Sequence, residues 1–180
     1  MTGGLVQEFH HSVLPSIPPL VTFVLTILSI LPSLIHLWLY PRGPKSFLRC
    51  LILCAFGSFM FGWHVHEKAI LIITIPFSLL VLDKKRDAQI FLILSTVAHY
   101  SLFPLIFTKA ETVIKICIVM LYTVYSFSSI GNLYRLPWTL SQLPLCSTIE
   151  TIYLLGIVPL EMYNSLVHPL LGLDKRLPFL

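Results

Sequence analysis

The run PLVTFVLTILSILPSLIHLWLY, residues 19–40, contains no Asp, Glu, Lys or Arg. About 20 such residues are enough for a helix to cross the hydrocarbon core of a bilayer. The run predicts a first membrane span, and its repetition along the chain predicts an all-α, polytopic transmembrane protein. Pro32 should kink this span, because proline lacks the N–H donor and crowds the preceding turn. His36 lies inside it, and its plainest reading is a neutral imidazole hydrogen-bonded to a neighbouring helix.

Composition agrees. The 180 residues are 56% hydrophobic and 11% charged, against about 25% charged in soluble domains. A small water-soluble core cannot hide so much apolar surface. The formal net charge of +4 is split among short loops. No basic stripe of the kind nucleic acid requires is present, so nucleic acid is not an expected partner. Cys50, Cys54, Cys117 and Cys146 lie in or beside apolar runs and form no CxxC pair. They are expected as small apolar residues, with no disulfide framework. Neither Asn132 nor Asn164 begins a glycosylation sequon. No basic n-region precedes the first apolar run, so no signal peptide is expected.

Outward from residues 19–40, five more apolar segments follow, at about 47–63, 69–82, 88–108, 113–134 and 148–168. Together they make a single transmembrane domain, 1–180. The 69–82 segment has only 14 residues and contains Pro76. It and 47–63 can be two full spans or a re-entrant pair. Asp83 to Asp87 is a charged turn, and Lys109 to Glu111 reads as a tight connection. Tyr122, Tyr125 and Ser126 fall at helical spacing and are expected as interhelical contacts. Leu136 to Cys146 carries Pro137 and Pro144 and reads as a loop, with Trp138 at the membrane interface. Glu150 and Glu161 are eleven residues apart, nearly three helical turns, so they share a face that should look into protein or water.

With six crossings, Arg42, Lys45, Arg49, Lys84, Lys85, Arg86 and Arg135 fall on one side, and Lys68, Lys109, Lys115, Lys175 and Arg176 on the other. The excess makes the first side the expected cytoplasmic one. Residues 61–68 then face the lumen or exterior.

Those residues, Phe61-Gly62-Trp63-His64-Val65-His66-Glu67-Lys68, are the chemical focus of the chain. Ionisable groups at membrane depth are costly, and their clustering points to a site. Four readings are open. His64, His66 and Glu67 could ligate a metal, but no second cluster completes the set. Glu67 could be a general base with His66 beside it. Lys68 and His66 could bind a phosphate. Or the stretch is a structural knot, with Glu67 paired to Lys68 or a helix end.

This octapeptide, continuing as Ala69-Ile70-Leu71 and then Ile75-Pro76, resembles the endoplasmic-reticulum glucosyltransferases that use dolichyl-phosphate-glucose. Val-His-Glu-Lys is shared by the first and second of these enzymes. Trp63-His64 looks like the second, which adds an alpha-1,3-linked glucose to the monoglucosylated lipid-linked oligosaccharide. Thr2 to Gln7, His99 to Leu105, Tyr153 to Gly156 and Pro159 to Glu161 match it too.

The resemblance implies a partial GT-C type fold and a lumenal active site in the endoplasmic reticulum membrane. It implies a dolichyl-phosphate-glucose donor, a lipid-linked oligosaccharide acceptor and no cofactor. His66 and Lys68 would bind the donor phosphate, with His64 and Glu67 as further substrate-binding residues. The family's catalytic aspartate lies in a first lumenal loop to which nothing in 1–180 corresponds, so the chain is expected to be a C-terminal fragment, inactive alone and lacking a final span. The competing expectation is a non-catalytic membrane channel, transporter or scaffold.

Overall fold

The structure is a computed structural model, and it describes residues 17–63, 65–105, 109–136, 138–139, 142–167 and 170–171. Among the described residues every regular element is helical: α1 (Pro19–Leu39), α2 (Pro44–Phe61), α3 (Ile70–Ser78), α4 (Lys85–Ser101), α5 (Lys109–Leu133), α6 (Thr148–Leu155) and α7 (Ile157–Met162). Short 3-10 turns cover Glu67–Ala69 and Phe103–Leu105, and a π-turn covers Tyr163–Val167. Among the described residues four stretches are long and apolar enough to cross a membrane: Pro19–Leu39, Pro44–Phe61, Lys85–Leu105 and Glu111–Leu133. The chain divides into two compact units, one ending at His66 and the other beginning at Glu67.

The first unit is a helical hairpin. The hydroxyls of α1 cost little in an apolar setting because each is satisfied on its own helix. Thr22 donates to the Pro19 carbonyl at 2.8 Å, Thr26 to Thr22 at 2.8 Å and Ser33 to Ile30 at 2.7 Å. Pro32 is carried inside the helix, and no residue of α1 is buried. Gly43, at φ 81°, makes the turn that releases α2, and Pro44 opens the helix where its missing N–H has no partner to lose. α2 therefore starts three residues before the Phe47 expected from hydropathy.

Small residues form the seam of this hairpin. A Cβ on Gly57 would lie 2.9 Å from the Ile30 side chain. Ser33 Oγ is 3.4 Å from Cys54 Sγ, and Cys50 Sγ donates to the Ser33 carbonyl at 3.5 Å. With little hydrophobic force between helices in lipid, this close approach is what joins them. Cys50 and Cys54 share the face, as small contact residues and as free thiols.

The second unit packs around α4, whose buried side chains include Ala88, Phe91, Leu92, Ser95 and Ala98. Asp87 is buried in its first turn, where a carboxylate meets the positive end of the helix dipole. Phe77 of α3 meets Phe91 edge-on at 5.9 Å. Residues 109–111, expected as a connection, are instead the first turn of α5, with Glu111 at the favoured acidic end. Tyr122 of α5 contacts His99 of α4, with ring centroids 4.4 Å apart. Tyr125, expected at the same kind of contact, is instead 71% exposed.

Two apolar segments take a shorter form than a continuous span. Residues 69–82 are α-helical only over Ile70–Ser78, and the chain then runs in turns through Asp83. Residues 148–167 run as α6, α7 and the π-turn in succession, joined at Gly156. Pro76 and Pro159, which lack an N–H, lie within α3 and α7.

The loop after α5 folds back onto it. Tyr134 Oη donates to the Val81 carbonyl at 2.7 Å, and Trp138 Nε1 to Ser128 Oγ at 3.1 Å. A Cβ on Gly131 would lie 2.7 Å from Pro144 Cβ and 3.0 Å from the Leu136 carbonyl oxygen, both rigid neighbours. Gly131→Ala should therefore destabilise the protein by about 1–3 kcal/mol, the scale of overpacking. It should appear as a lower thermal midpoint of the purified protein. An unchanged midpoint would mean that the loop does not sit this close to α5.

Candidate functional site

α2 ends because Gly62 leaves the helix. Its N–H still bonds the Ser58 carbonyl at 2.9 Å, but its backbone is extended at φ −65°, ψ 146°. A Cβ there would run into the Ser58 carbonyl oxygen, so glycine is required by close approach. Val65 and His66 continue without regular structure, and both are exposed. Glu67 and Lys68 open the second unit in the 3-10 turn that leads into α3, and they too are exposed. His64 lies outside the described residues, so the role assigned to it gains no structural account.

The octapeptide is thus a short connection, and its imidazole, carboxylate and ammonium are all open to their surroundings. α3 explains why the connection stays at the surface. Its Ile70, Ile73, Thr74 and Phe77 are buried while Ile72 and Ile75 are exposed, so the helix is anchored directly after Lys68. Such an arrangement can present positive charge and hydrogen-bond donors to an anion. Among the described residues, no three His, Cys, Asp or Glu side chains group closely enough to hold a metal ion.

The two carboxylates of the last segment do share a face, and that face looks onto α4. Gln89 Nε2 donates to both Glu150 carboxylate oxygens at 2.9 Å. Eleven residues on along both elements, Tyr100 lies beside Glu161. The segment therefore runs parallel to α4. Glu150 also closes a capping box: the Ser147 N–H donates to it at 2.7 Å, and Ser147 Oγ accepts from the Glu150 N–H. Both carboxylates are held by neutral donors and fasten helices. Gln89 and Tyr100 were not singled out from sequence, since nothing local marks the partner of a distant carboxylate.

Beside the cap, burial first and the Glu150 charge second push the Cys146 thiol up to about 11. At pH 7.5 its thiolate is only on the order of one part in 10³, and the thiolate is the reactive form. A Glu67→Cys substitution should accordingly react rapidly with a water-soluble maleimide in detergent, while Cys146 stays unmodified. Protection of position 67 would show that the connection is covered.

The whole chain, residues 1–180, matches the model of the ALG6, ALG8 glycosyltransferase family. It is 53% identical over 180 residues to the dolichyl pyrophosphate Glc1Man9GlcNAc2 alpha-1,3-glucosyltransferase of Bos taurus, covering 100% of this chain and 33% of the relative. The probable enzyme of the same name in Drosophila melanogaster is 42% identical over 181 residues, covering 99% and 34%. The Neurospora crassa enzyme is 42% identical over 168 residues, covering 93% and 33%. The chain thus spans about a third of the length of these relatives. No solved structure matches it.

Proposed function

The chain belongs to the ALG6, ALG8 glycosyltransferase family, and from that premise we propose that it forms the donor-phosphate part of a membrane glucosyltransferase. The donor is dolichyl-phosphate-glucose. The acceptor is the monoglucosylated lipid-linked oligosaccharide for which the relatives are named. One observation carries this reading. The Val-His-Glu-Lys residues are exposed on a short connection that follows a helix long enough to cross a membrane.

In the reaction an acceptor hydroxyl oxygen attacks the glucose anomeric carbon, and a carboxylate takes its proton. The bond from that carbon to the phosphate oxygen breaks, and dolichyl phosphate leaves with the electron pair. Negative charge grows on the leaving phosphate and must be met by positive charge or donors at the membrane surface. Lys68 supplies the point charge and His66 a donor, with His66 close to the transferred glucose. Glu67 orients Lys68, because a bare carboxylate beside the phosphate would repel it. His64 contributes to acceptor choice. The base lies outside residues 1–180, so this chain alone would not turn over.

In the full-length enzyme, Lys68→Met and His66→Ala should each weaken use of the donor by about 1–3 kcal/mol, the scale of a lost charge-assisted hydrogen bond. Acceptor binding should change little. Steady-state kinetics with donor and acceptor varied separately, on variants checked for folding, tests this. Unchanged donor kinetics in both would leave the stretch a structural connection only.

Orientation belongs to the same proposal. The loops at 41–49 and 83–87 face the cytoplasm, and 61–68 faces the lumen of the endoplasmic reticulum. In sealed microsomes, Lys85→Cys should be reached by an impermeant maleimide from outside, and Glu67→Cys only after permeabilisation. Labelling of both from the same side would refute a full crossing between them.

A further inference from the structure

We propose that the groove between α1 and α2 holds an anionic phospholipid, with its phosphate at Arg49 and an acyl chain laid along α2. The groove has a volume of about 630 Å³. Its walls are graded along the hairpin. His36, Ser46 and Arg49 line one end, and Leu53, Phe56 and Met60 line the rest. From Arg49 to Met60 the helix rises about 17 Å at 1.5 Å per residue. That is about half of a ~30 Å hydrocarbon core, the depth of one leaflet.

Charge decides the headgroup. Residues 17–66 contain Arg42, Lys45 and Arg49 and no Asp or Glu. All three cations cluster at the turn and the first turns of α2. That end of the helix has no acidic residue in its first turn and no side-chain cap. A helix N-terminus is the positive end of the backbone dipole, so cations there are unfavourable and an anion is favoured. Whatever else Arg49 bonds, its guanidinium has five donors and matches a phosphate in a two-pronged geometry. Ser46 and His36 add hydrogen-bonding groups at the same end. Basic pockets between membrane helices are a known physical solution for binding lipid headgroups.

The apolar remainder argues for a lipid over a free anion, since a bare phosphate leaves that surface uncovered. The positive end argues for net negative charge over a zwitterion. The apolar end of the groove reaches Phe61, the first residue of the 61–68 stretch, but the phosphate end at Arg49 is twelve residues from it, about 18 Å along α2. It would stand even if the donor-site proposal failed.

The test uses the full-length protein that contains this chain, purified and stripped of lipid. Its thermal midpoint is followed while phosphatidylserine, phosphatidylcholine or inorganic phosphate is added. A ligand that binds the folded state raises the midpoint in a concentration-dependent way. Phosphatidylserine should raise it, and the other two should not. Arg49→Gln should raise the phosphatidylserine concentration needed by about tenfold or more, and Arg49→Lys should restore part of the response. Leu53→Trp keeps every charge but fills the groove, and it should weaken the response as strongly.

An equal response to phosphatidylserine in wild type and both groove variants would overturn the proposal, as would no response in the wild type. A response to inorganic phosphate matching that to phosphatidylserine would also overturn it, leaving an anion site without a lipid. A lower midpoint of Leu53→Trp in the absence of lipid, with no lipid response in any form, would place a protein segment in the groove instead.

Discussion

Hydrocarbon offers no water to a backbone N–H or carbonyl, and an unsatisfied group there costs several kcal/mol. The rest of this structure depends on that constraint. It is why every regular element among the described residues is a helix. It is why the hydroxyls of Thr22, Thr26 and Ser33 turn back onto their own helix. It also governs the ends. The Ser147 and Glu150 capping box satisfies donors at the start of α6, and Tyr134 reaches the Val81 carbonyl where the chain leaves α3.

Ionisable residues gather towards and beyond the ends of α2, where the chain leaves its apolar stretch. Gly62 stops α2 with its backbone almost touching the last turn, and three exposed ionisable residues follow before α3 is anchored by Ile70 and Ile73. The connection is short and its second half is fixed by a buried helix. The other end of α2 concentrates cations where the backbone itself is positive. The two ends of α2 thus differ: one leads into exposed ionisable residues, and the other carries the cations.

Packing between helices uses two different means. α1 and α2 join through Gly57, Ser33, Cys50 and Cys54, where small side chains let the backbones approach. α4 and the last segment join through Gln89 with Glu150 and Tyr100 with Glu161. In the second case polar pairs at both ends fix register, since sliding either element would part a carboxylate from its partner.

The sequence alone determined the helical membrane class, because residues 19–40 carry no formal charge and a run of that length has few other stable fates. It also determined the family, since the resemblance is carried by contiguous residues. The shared face of Glu150 and Glu161 followed from helical periodicity. The lengths of the elements at 69–82 and 148–168 were less legible, because hydropathy reads on through 79–83 and Gly156, where the helix gives way to turns. Only the tertiary structure decided which residues meet: Gln89 with Glu150, Tyr122 with His99, and His36 with Ser46 and Arg49 around one groove. These pairs are distant in sequence, and no local preference encodes a partner that another helix brings.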